Sequence, residues 1–99
     1  MKIKSYLGFA YKSGNIVLGI DNIKRTKKII YLILISNDLS ENGANEIKKL
    51  AEDKNWILLC VHNLLNEIIV NKNVKIAGIT DENLANVIIK EYNTRDKWI

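Results

Sequence analysis

Apolar residues along the chain fall into two patterns. In some stretches they recur every three or four positions, as on one face of a helix, and in others they form short continuous runs, as in buried strands. The continuous runs predict four strands, at 16–18, 29–35, 56–61 and 74–79. Helices must cover both faces of such a sheet, so the pattern predicts an α/β fold, a three-layer α/β/α sandwich with a central mixed sheet of about four short strands. The order of the strands does not follow from the pattern.

The first two predicted helices flank the strand at 16–18. The first helix spans 1–11, and Gly14 is placed to end it in the left-handed conformation that helix C-caps favour. Gly19 opens the second helix, in which Ile23 is the apolar position. The basic residues predicted on this second helix are Lys24, Arg25, Lys27 and Lys28.

Three further helices follow. Ser40 is a predicted N-cap for the third, and Thr80 or Asp81 for the last. A short fourth helix is predicted at 64–69, between the last two strands. The residues expected to face the core are Ala44, Ile47, Leu50 and Ala51 in the third helix and Leu84, Val87, Ile88 and Tyr92 in the last.

Size and composition are those of one folded domain. The chain has 99 residues, of which 47% are hydrophobic and 26% are charged, and it contains no proline. We therefore expect a single domain over 1–99. The longest apolar run, at 29–35, is far shorter than the roughly 20 residues that span a bilayer. Because Cys60 is the lone cysteine, as is typical of a reducing compartment, we expect a cytoplasmic protein with no membrane association.

Positive charge is concentrated in the first third of the chain. Residues 1–30 hold seven basic side chains and one acidic, a balance of +6, whereas residues 31–99 hold eight basic and ten acidic, a balance of −2. Such asymmetry is typical of a face that binds a polyanion. A compositionally biased genome is the alternative explanation, since lysine outnumbers arginine thirteen to two.

The motifs that carry enzyme chemistry are incomplete. Gly14 and Gly19 have the spacing that begins a P-loop, but Ile20 and Asp21 stand where that loop needs lysine and a hydroxyl residue. A dinucleotide-binding glycine fingerprint is also absent. We interpret the lone cysteine as a core residue and the lone histidine, His62, as a helix-start or surface residue. We expect no catalytic residue, no metal and no cofactor.

The segment 12–28 combines a tight turn, a helix N-terminus and clustered positive charge. Gly14 and Gly19 bracket the first strand, and glycine at 19 would let another backbone approach the start of the second helix. Unpaired amides at such a helix start attract phosphate oxygens. The lysines expected to grip phosphates are Lys12, Lys24, Lys27 and Lys28.

Three polar side chains in the second helix are spaced to converge. Asp21 and Asn22 occupy the first turn, and Arg25 follows one turn later, so all three can point to the same side. Acceptor, mixed and donor groups directed at one place are what the reading of nucleobase edges requires. The alternative is a helix-capping aspartate with an Asp21–Arg25 ion pair, an interaction of roughly 0.3 to 0.5 kcal/mol.

Three motifs in order resemble one protein family. They are SGNIVLG at 13–19, ILISNDLS at 33–40 and VKIAGITDENLA at 74–85. Together they resemble the ribosomal-protein family that binds kink-turn RNA, which includes an archaeal large-subunit protein and the bacterial YlxQ and YbxF types. The resemblance covers nearly the whole chain and implies the same three-layer sandwich.

In that family the glycine before the second helix and polar residues of its first turn meet tandem sheared G·A pairs, and a basic residue one turn further on contacts guanine. The positions that correspond here are Gly19, Asp21, Asn22 and Arg25. The loop that closes on a flipped nucleotide corresponds to Ile69, Val70, Asn71 and Lys72. The chain departs from the family in having Asn15 where a lysine is common, and in a second-helix segment that is about two residues shorter.

We therefore expect a cytoplasmic, non-enzymatic protein that binds kink-turn or similarly structured RNA, with ribosomal RNA and the ribosome among its expected partners. The predicted RNA-binding residues are Lys12, Gly14, Asn15, Gly19, Asp21, Asn22, Arg25, Lys28, Ile69, Val70 and Lys72. The alternative is a protein-interaction module of the same fold that has lost RNA binding and uses the apolar and acidic faces of its later helices. A small nucleotide-using enzyme is a third hypothesis, without a metal or phosphate motif to support it.

Overall fold

The computed structural model describes residues 2–61 and 74–96. The elements in these ranges are α1 (Lys2–Ser13), β1 (Ile16–Leu18), α2 (Ile20–Arg25), β2 (Leu32–Ser36), α3 (Glu41–Lys54), β3 (Ile57–Val61), β4 (Ile76–Ile79) and α4 (Glu82–Asp96). The short helix predicted at 64–69 lies outside the described residues. Among the described helices, none combines the length and the apolar character needed to cross a membrane.

The described strands form one sheet in the order β1-β4-β2-β3. β4 is antiparallel to both β1 and β2, whereas β2 and β3 are parallel. A parallel pair needs a crossover connection, which α3 supplies. The sheet is therefore mixed, as predicted, and β2 lies inside it, where Leu32 pairs with Ile79 on one side and with Ile57 on the other.

The burial of β2 shows that the sheet is covered on both faces. Successive side chains of a strand point to opposite faces, and all five residues of β2 are buried. Leu32 and Leu34 pack with residues of α1 and α4, whereas Ile33 and Ile35 pack with residues of α2 and α3. Helices thus cover each face of the sheet, which confirms the three-layer sandwich.

Several helix ends use the predicted capping residues. After α1, Gly14 has a φ of +76°, and the N–H of Asn15 donates to the carbonyl of Ala10 at 2.9 Å, which is the turn that a C-cap glycine favours. Ser40 caps α3 with its hydroxyl. Of the two residues predicted to cap α4, Asp81 is the one whose carboxylate accepts a first-turn backbone N–H, at 2.9 Å. These local interactions set where the helices begin and end.

The segment after α2 differs from the prediction. α2 ends early because Thr26 adopts an extended conformation, with φ −66° and ψ 143°, and its hydroxyl accepts the N–H of Lys28 at 3.1 Å. Lys27 and Lys28 therefore lie beyond the helix that was expected to carry them. The strand predicted at 29–35 also begins later, because the chain is still crossing toward the sheet, and Ile29 is 68% exposed.

Two other elements are less covered than the pattern predicts. β3 is an edge strand in the described sheet, and Ile57 at its start is 49% exposed. In α4, Ala85 and Ile88 turn toward the sheet and are buried, whereas Val87, which was expected to face inward, is 37% exposed. A periodic apolar pattern identifies the helix, but it does not show how much of the helix's apolar face the rest of the fold will bury.

Candidate nucleic-acid interface

Gly19 connects β1 to α2 in a conformation that glycine adopts most readily. Its φ is +85° and its ψ is 151°, a region that L side chains rarely adopt. A Cβ at this position would meet nothing within 4 Å, so the glycine is required by the backbone conformation and not by a close neighbour. The N–H of Gly19 donates to the carbonyl of Ile76 at 2.8 Å. This amide therefore ties α2 to β4 and is not free to bind a phosphate.

Asn22 and Arg25 form a small hydrogen-bonded unit on the exposed side of α2. The Asn22 Nδ2 donates to the carbonyl of Leu18 at 2.8 Å, and its Oδ1 accepts from Arg25 Nη2 at 3.0 Å. Asn22 thus holds Arg25 against the end of β1. A guanidinium carries five N–H donors in a planar fork, so Arg25 retains donors for a further acceptor.

Asp21 does not join this unit. Its side chain is exposed, and no ion pair links it to Arg25 in the part of the chain that the structure describes. The Asp21–Arg25 pair that the helical spacing allows is therefore not formed, because Arg25 turns to the amide of Asn22 instead. Of the three side chains expected to converge, the structure brings two together.

A groove of about 780 Å³ lies beside Arg25, between β1, α2 and the residues that lead into β4. We call it the Arg25 groove. Its apolar part is formed by Ile16, Val17, Leu18, Leu39, Val74 and Ile76. Its polar part is formed by Gly19, Asn22, Arg25, Thr26, Lys28 and Lys75. Three basic side chains and no acidic one line it among the described residues, so the groove is both concave and positively charged.

Lys28 is brought to the groove by a contact across the fold. Its Nζ donates to the carbonyl of Gly14 at 3.2 Å, which links the segment after α2 to the end of α1. Cations are favourable near helix C-termini, where carbonyls lack partners within the helix. Gly14 and Lys28, two of the predicted RNA-binding residues, are therefore in contact although they lie 14 positions apart in the sequence.

Lys24 points away from the Arg25 groove. Its Nζ lies 2.6 Å from the Glu46 carboxylate of α3, and this hydrogen bond and charge raise the pKa of Lys24 above its ordinary value. The phosphate-binding role expected for Lys24 is thereby reduced, since its charge already has a partner. Lys12 and Lys27 are exposed, and neither lines the groove.

Asn15 serves the fold more than the groove. Its carbonyl accepts the N–H of Thr80 at 3.0 Å, and its side-chain amide donates to the hydroxyl of Ser13 at 3.0 Å. The first contact extends the pairing of β1 with β4, and the second stabilises the turn between α1 and β1. Asn15, which was predicted to bind RNA, is thus held within the fold by these two contacts.

Lys75 is a groove residue that the sequence analysis did not single out. It forms an ion pair with Asp38, which also accepts a hydrogen bond from Ser36. Both hydrogen bonds lower the pKa of Asp38 below its ordinary value, and the one from Lys75 has the larger effect. Lys75 lies within the third family-like motif, but its place beside α2 depends on the pairing of β1 with β4, which no local pattern reveals.

The remaining candidate residues lie outside the groove or outside the described ranges. Ile69, Val70, Asn71 and Lys72, together with His62, are outside the described residues. Cys60 is half-buried and packs with the core on the α3 side of the sheet, in agreement with its interpretation as a core residue. Residues 2–61 and 74–96 contain no group of three or more His, Cys, Asp or Glu side chains that could hold a metal ion.

Comparisons with known proteins identify the fold alone. No protein-family model and no curated protein matches the chain. Among solved structures, the chain is similar to a protein of unknown function from Bacillus halodurans C, with 15% sequence identity and a TM-score of 0.77. The similarity covers 90% of this chain and 94% of that one. It supports the α/β architecture as that of the whole domain.

Proposed function

We propose that this protein binds kink-turn or similarly structured RNA through the Arg25 groove, as a non-enzymatic cytoplasmic protein associated with the ribosome or another ribonucleoprotein. One observation carries the proposal. Asn22 holds the Arg25 guanidinium at the rim of a concave surface that Lys28 and Lys75 also line. The three family-like motifs support the same function. Each of them contributes residues that line the groove, such as Gly19, Leu39 and Lys75.

The groove has the chemistry for reading bases as well as for holding a backbone. Arginine can donate two parallel hydrogen bonds to O6 and N7 of guanine, and a guanidinium held in place loses little further freedom on binding. Lys28, whose Nζ donates to the neutral carbonyl of Gly14, carries the positive charge that phosphates require, whereas the charge of Lys75 is already paired with Asp38. The apolar part of the groove suits the faces of bases that have left a helical stack, which is how proteins read RNA sequence.

The positions of the charged side chains refine the expected roles. Lys28 belongs to the central contact, and the exposed Lys12 and Lys27 belong to its margin. Lys75 lines the same groove, but its charge is paired with Asp38. Lys24 contributes least, because Glu46 already neutralises it. For Ile69, Val70, Asn71 and Lys72, the RNA-binding role that the family resemblance implies is part of the proposal.

The proposal is tested by measuring how tightly the protein binds two RNAs, a kink-turn and the same RNA with its G·A pairs mutated. Each affinity is measured at two salt concentrations. We expect Arg25→Ala to weaken binding of the kink-turn by about 1 to 3 kcal/mol and to change binding of the mutated control little. Lys28→Ala should weaken both RNAs alike and lower the slope of log affinity against log salt by about one. Gel-shift titration measures both quantities.

Lys48→Ala is the matched control, because Lys48 is an exposed lysine of α3 that does not line the Arg25 groove. It should leave affinity for both RNAs close to that of the parent protein. Equal losses on the kinked and the control RNA after Arg25→Ala would contradict a base-reading role for Arg25. Saturable binding of free nucleotides would instead favour the enzyme hypothesis.

A further inference from the structure

A second groove is lined by the segment that follows α2 and by residues of α3. Its volume is about 300 Å³, and we call it the Ile29 groove. Its apolar walls include Ile29, Leu50 and Trp56, and its rim includes Lys24, Lys28 and Lys54. Among the residues that the structure describes, Lys28 and Thr26 are the two that line both this groove and the Arg25 groove.

Ile29 is presented to solvent by a segment that is anchored on both sides. Ile30, the next residue, is only 5% exposed and packs over Gly78, where an added Cβ would lie 3.2 Å from its Cδ1. Before it, the hydroxyl of Thr26 accepts the N–H of Lys28. Because its neighbours are held in this way, Ile29 stays outward and 68% exposed at the edge of the groove. The fold therefore keeps a large apolar side chain out of the core.

The rim of the Ile29 groove is positively charged. Lys54 is in the last turn of α3, and Lys28 is held by the Gly14 carbonyl, which leaves its charge uncompensated. Lys24 is paired with Glu46, but no acidic side chain lines the groove among the described residues. An apolar cleft with a cationic rim is complementary to a chain that carries carboxylates around an apolar side chain.

Charge alone would also attract RNA, but the apolar walls favour a protein partner. Asn22 and Arg25 of the Arg25 groove can read the edge of a base, whereas the described residues that line the Ile29 groove include no amide or guanidinium side chain. A Leu or Phe side chain would bury Ile29 and Leu50 and gain roughly 25 cal/mol for each Å² removed from water. Small apolar pockets of this kind hold the anchor residues of protein interfaces.

We propose that the Ile29 groove docks an acidic segment of a partner protein, with one apolar side chain seated between Leu50 and Trp56 and flanking carboxylates paired with Lys28 and Lys54. This inference goes beyond the proposed function and depends on different side chains, Lys28 excepted. Because Lys28 lines both grooves, a bound RNA and the partner would compete for its charge.

A random peptide library displayed on phage and selected on the immobilised full-length chain tests the proposal. We expect the enriched peptides to share acidic residues around a Leu, Ile, Phe or Trp. When these peptides are synthesised, Ile29→Ser and Lys54→Glu should each weaken their binding by about tenfold or more, as measured by fluorescence anisotropy. Both side chains are exposed, so neither change removes a core contact, and circular dichroism verifies the fold.

Phe9→Ser is the matched control, because Phe9 is a 60% exposed apolar residue of α1, on the other face of the sheet. It should not change peptide binding. Any of three results would overturn the proposal. The selection could give no enrichment, the enriched peptides could lack acidic residues, or they could bind the Ile29→Ser variant as well as the parent. Loss of kink-turn binding in Ile29→Ser would assign the groove to RNA and overturn it too.

The same variants separate this inference from the proposed function. Arg25→Ala should weaken binding of the kink-turn RNA and leave peptide binding intact, whereas Ile29→Ser should do the reverse. If the parent chain binds no kink-turn RNA but binds acidic peptides through Ile29, the proposed function fails and the docking site stands.

Discussion

The two faces of the sheet are covered in different ways. On one face lie the long helices α1 and α4, of 12 and 15 residues, which bury Leu7 and Ile88 completely. On the other face, α3 shares the cover with α2, which has six residues, and with the irregular segment 26–31. Both the Arg25 groove and the Ile29 groove lie beside this short cover.

The difference teaches where a domain of this kind can hold a ligand. Long amphipathic helices bury a continuous apolar stripe and gain stability from it. The short helix and the irregular segment leave Ile29 exposed, but Phe9 of α1 and Val87 of α4 are exposed as well. What distinguishes the α2 face is that basic side chains line its two grooves. We infer that the α1 and α4 face contributes mainly to stability and that the α2 face contributes mainly to binding.

The largest expected effect is on the stability of the long-helix face. Leu34 is fully buried beneath α1 and α4, so Leu34→Ala should lower the free energy of unfolding by about 2 to 5 kcal/mol. Leu39 is a partly buried leucine that lines the Arg25 groove, and Leu39→Ala should cost clearly less. Urea denaturation measures both losses. Equal losses would break the distinction between the two faces.

A smaller effect is expected from the glycine that opens α2. Gly19→Ala should destabilise the protein by about 1 to 3 kcal/mol, because alanine rarely adopts a φ of +85° with a ψ of 151°. Gly8→Ala is the control, since Gly8 lies within α1, also with open space around an added Cβ, and alanine there should stabilise by about 0.5 to 1 kcal/mol. Thermal unfolding of both variants should therefore shift in opposite directions.

The smallest effect concerns the exposed ion pair at the edge of the Arg25 groove. Lys75 and Ser36 lower the pKa of Asp38 below its ordinary value of 3.8. The pair therefore stabilises the fold fully above that pH, and the contribution is lost as the pH falls through the lowered pKa. Because the pair is exposed, its effect on stability is small.

A carbon-13 NMR titration of the Asp38 carboxyl group tests this assignment. In Lys75→Met we expect the pKa of Asp38 to rise toward its ordinary value, since the largest cause of its lowering is removed. Lys24→Met, which removes a lysine paired with another carboxylate, should leave the pKa of Asp38 unchanged. A pKa of Asp38 that is the same in the parent and in Lys75→Met would contradict the role of Lys75.

The elements themselves could be predicted from local pattern. The run before Ser36 identifies β2, and glycine at 14 marks the end of α1, because a C-cap needs a residue that tolerates positive φ. The position of Ile29 could not be predicted in the same way. Its apolar neighbours suggest that it continues the strand, and only the path from α2 to the sheet keeps it outside.

The candidate site was partly predictable for the same physical reason. Asn22 and Arg25 lie one helical turn apart, so their proximity follows from helix geometry. The pairing of Lys24 with Glu46 and the arrival of Lys75 at the groove join residues far apart in the chain. No spacing rule gives such contacts, because they depend on which helices pack together and which strands are neighbours in the sheet.

The sequence by itself therefore determined the kinds of element, most of their ends and the layered α/β class, since each of these depends on interactions within a few residues. Only the tertiary structure decided which charges remain available, which apolar side chains stay exposed and where the two grooves lie. The physical reason is that burial and charge pairing depend on the neighbours that β1, β4 and α3 supply from distant parts of the chain.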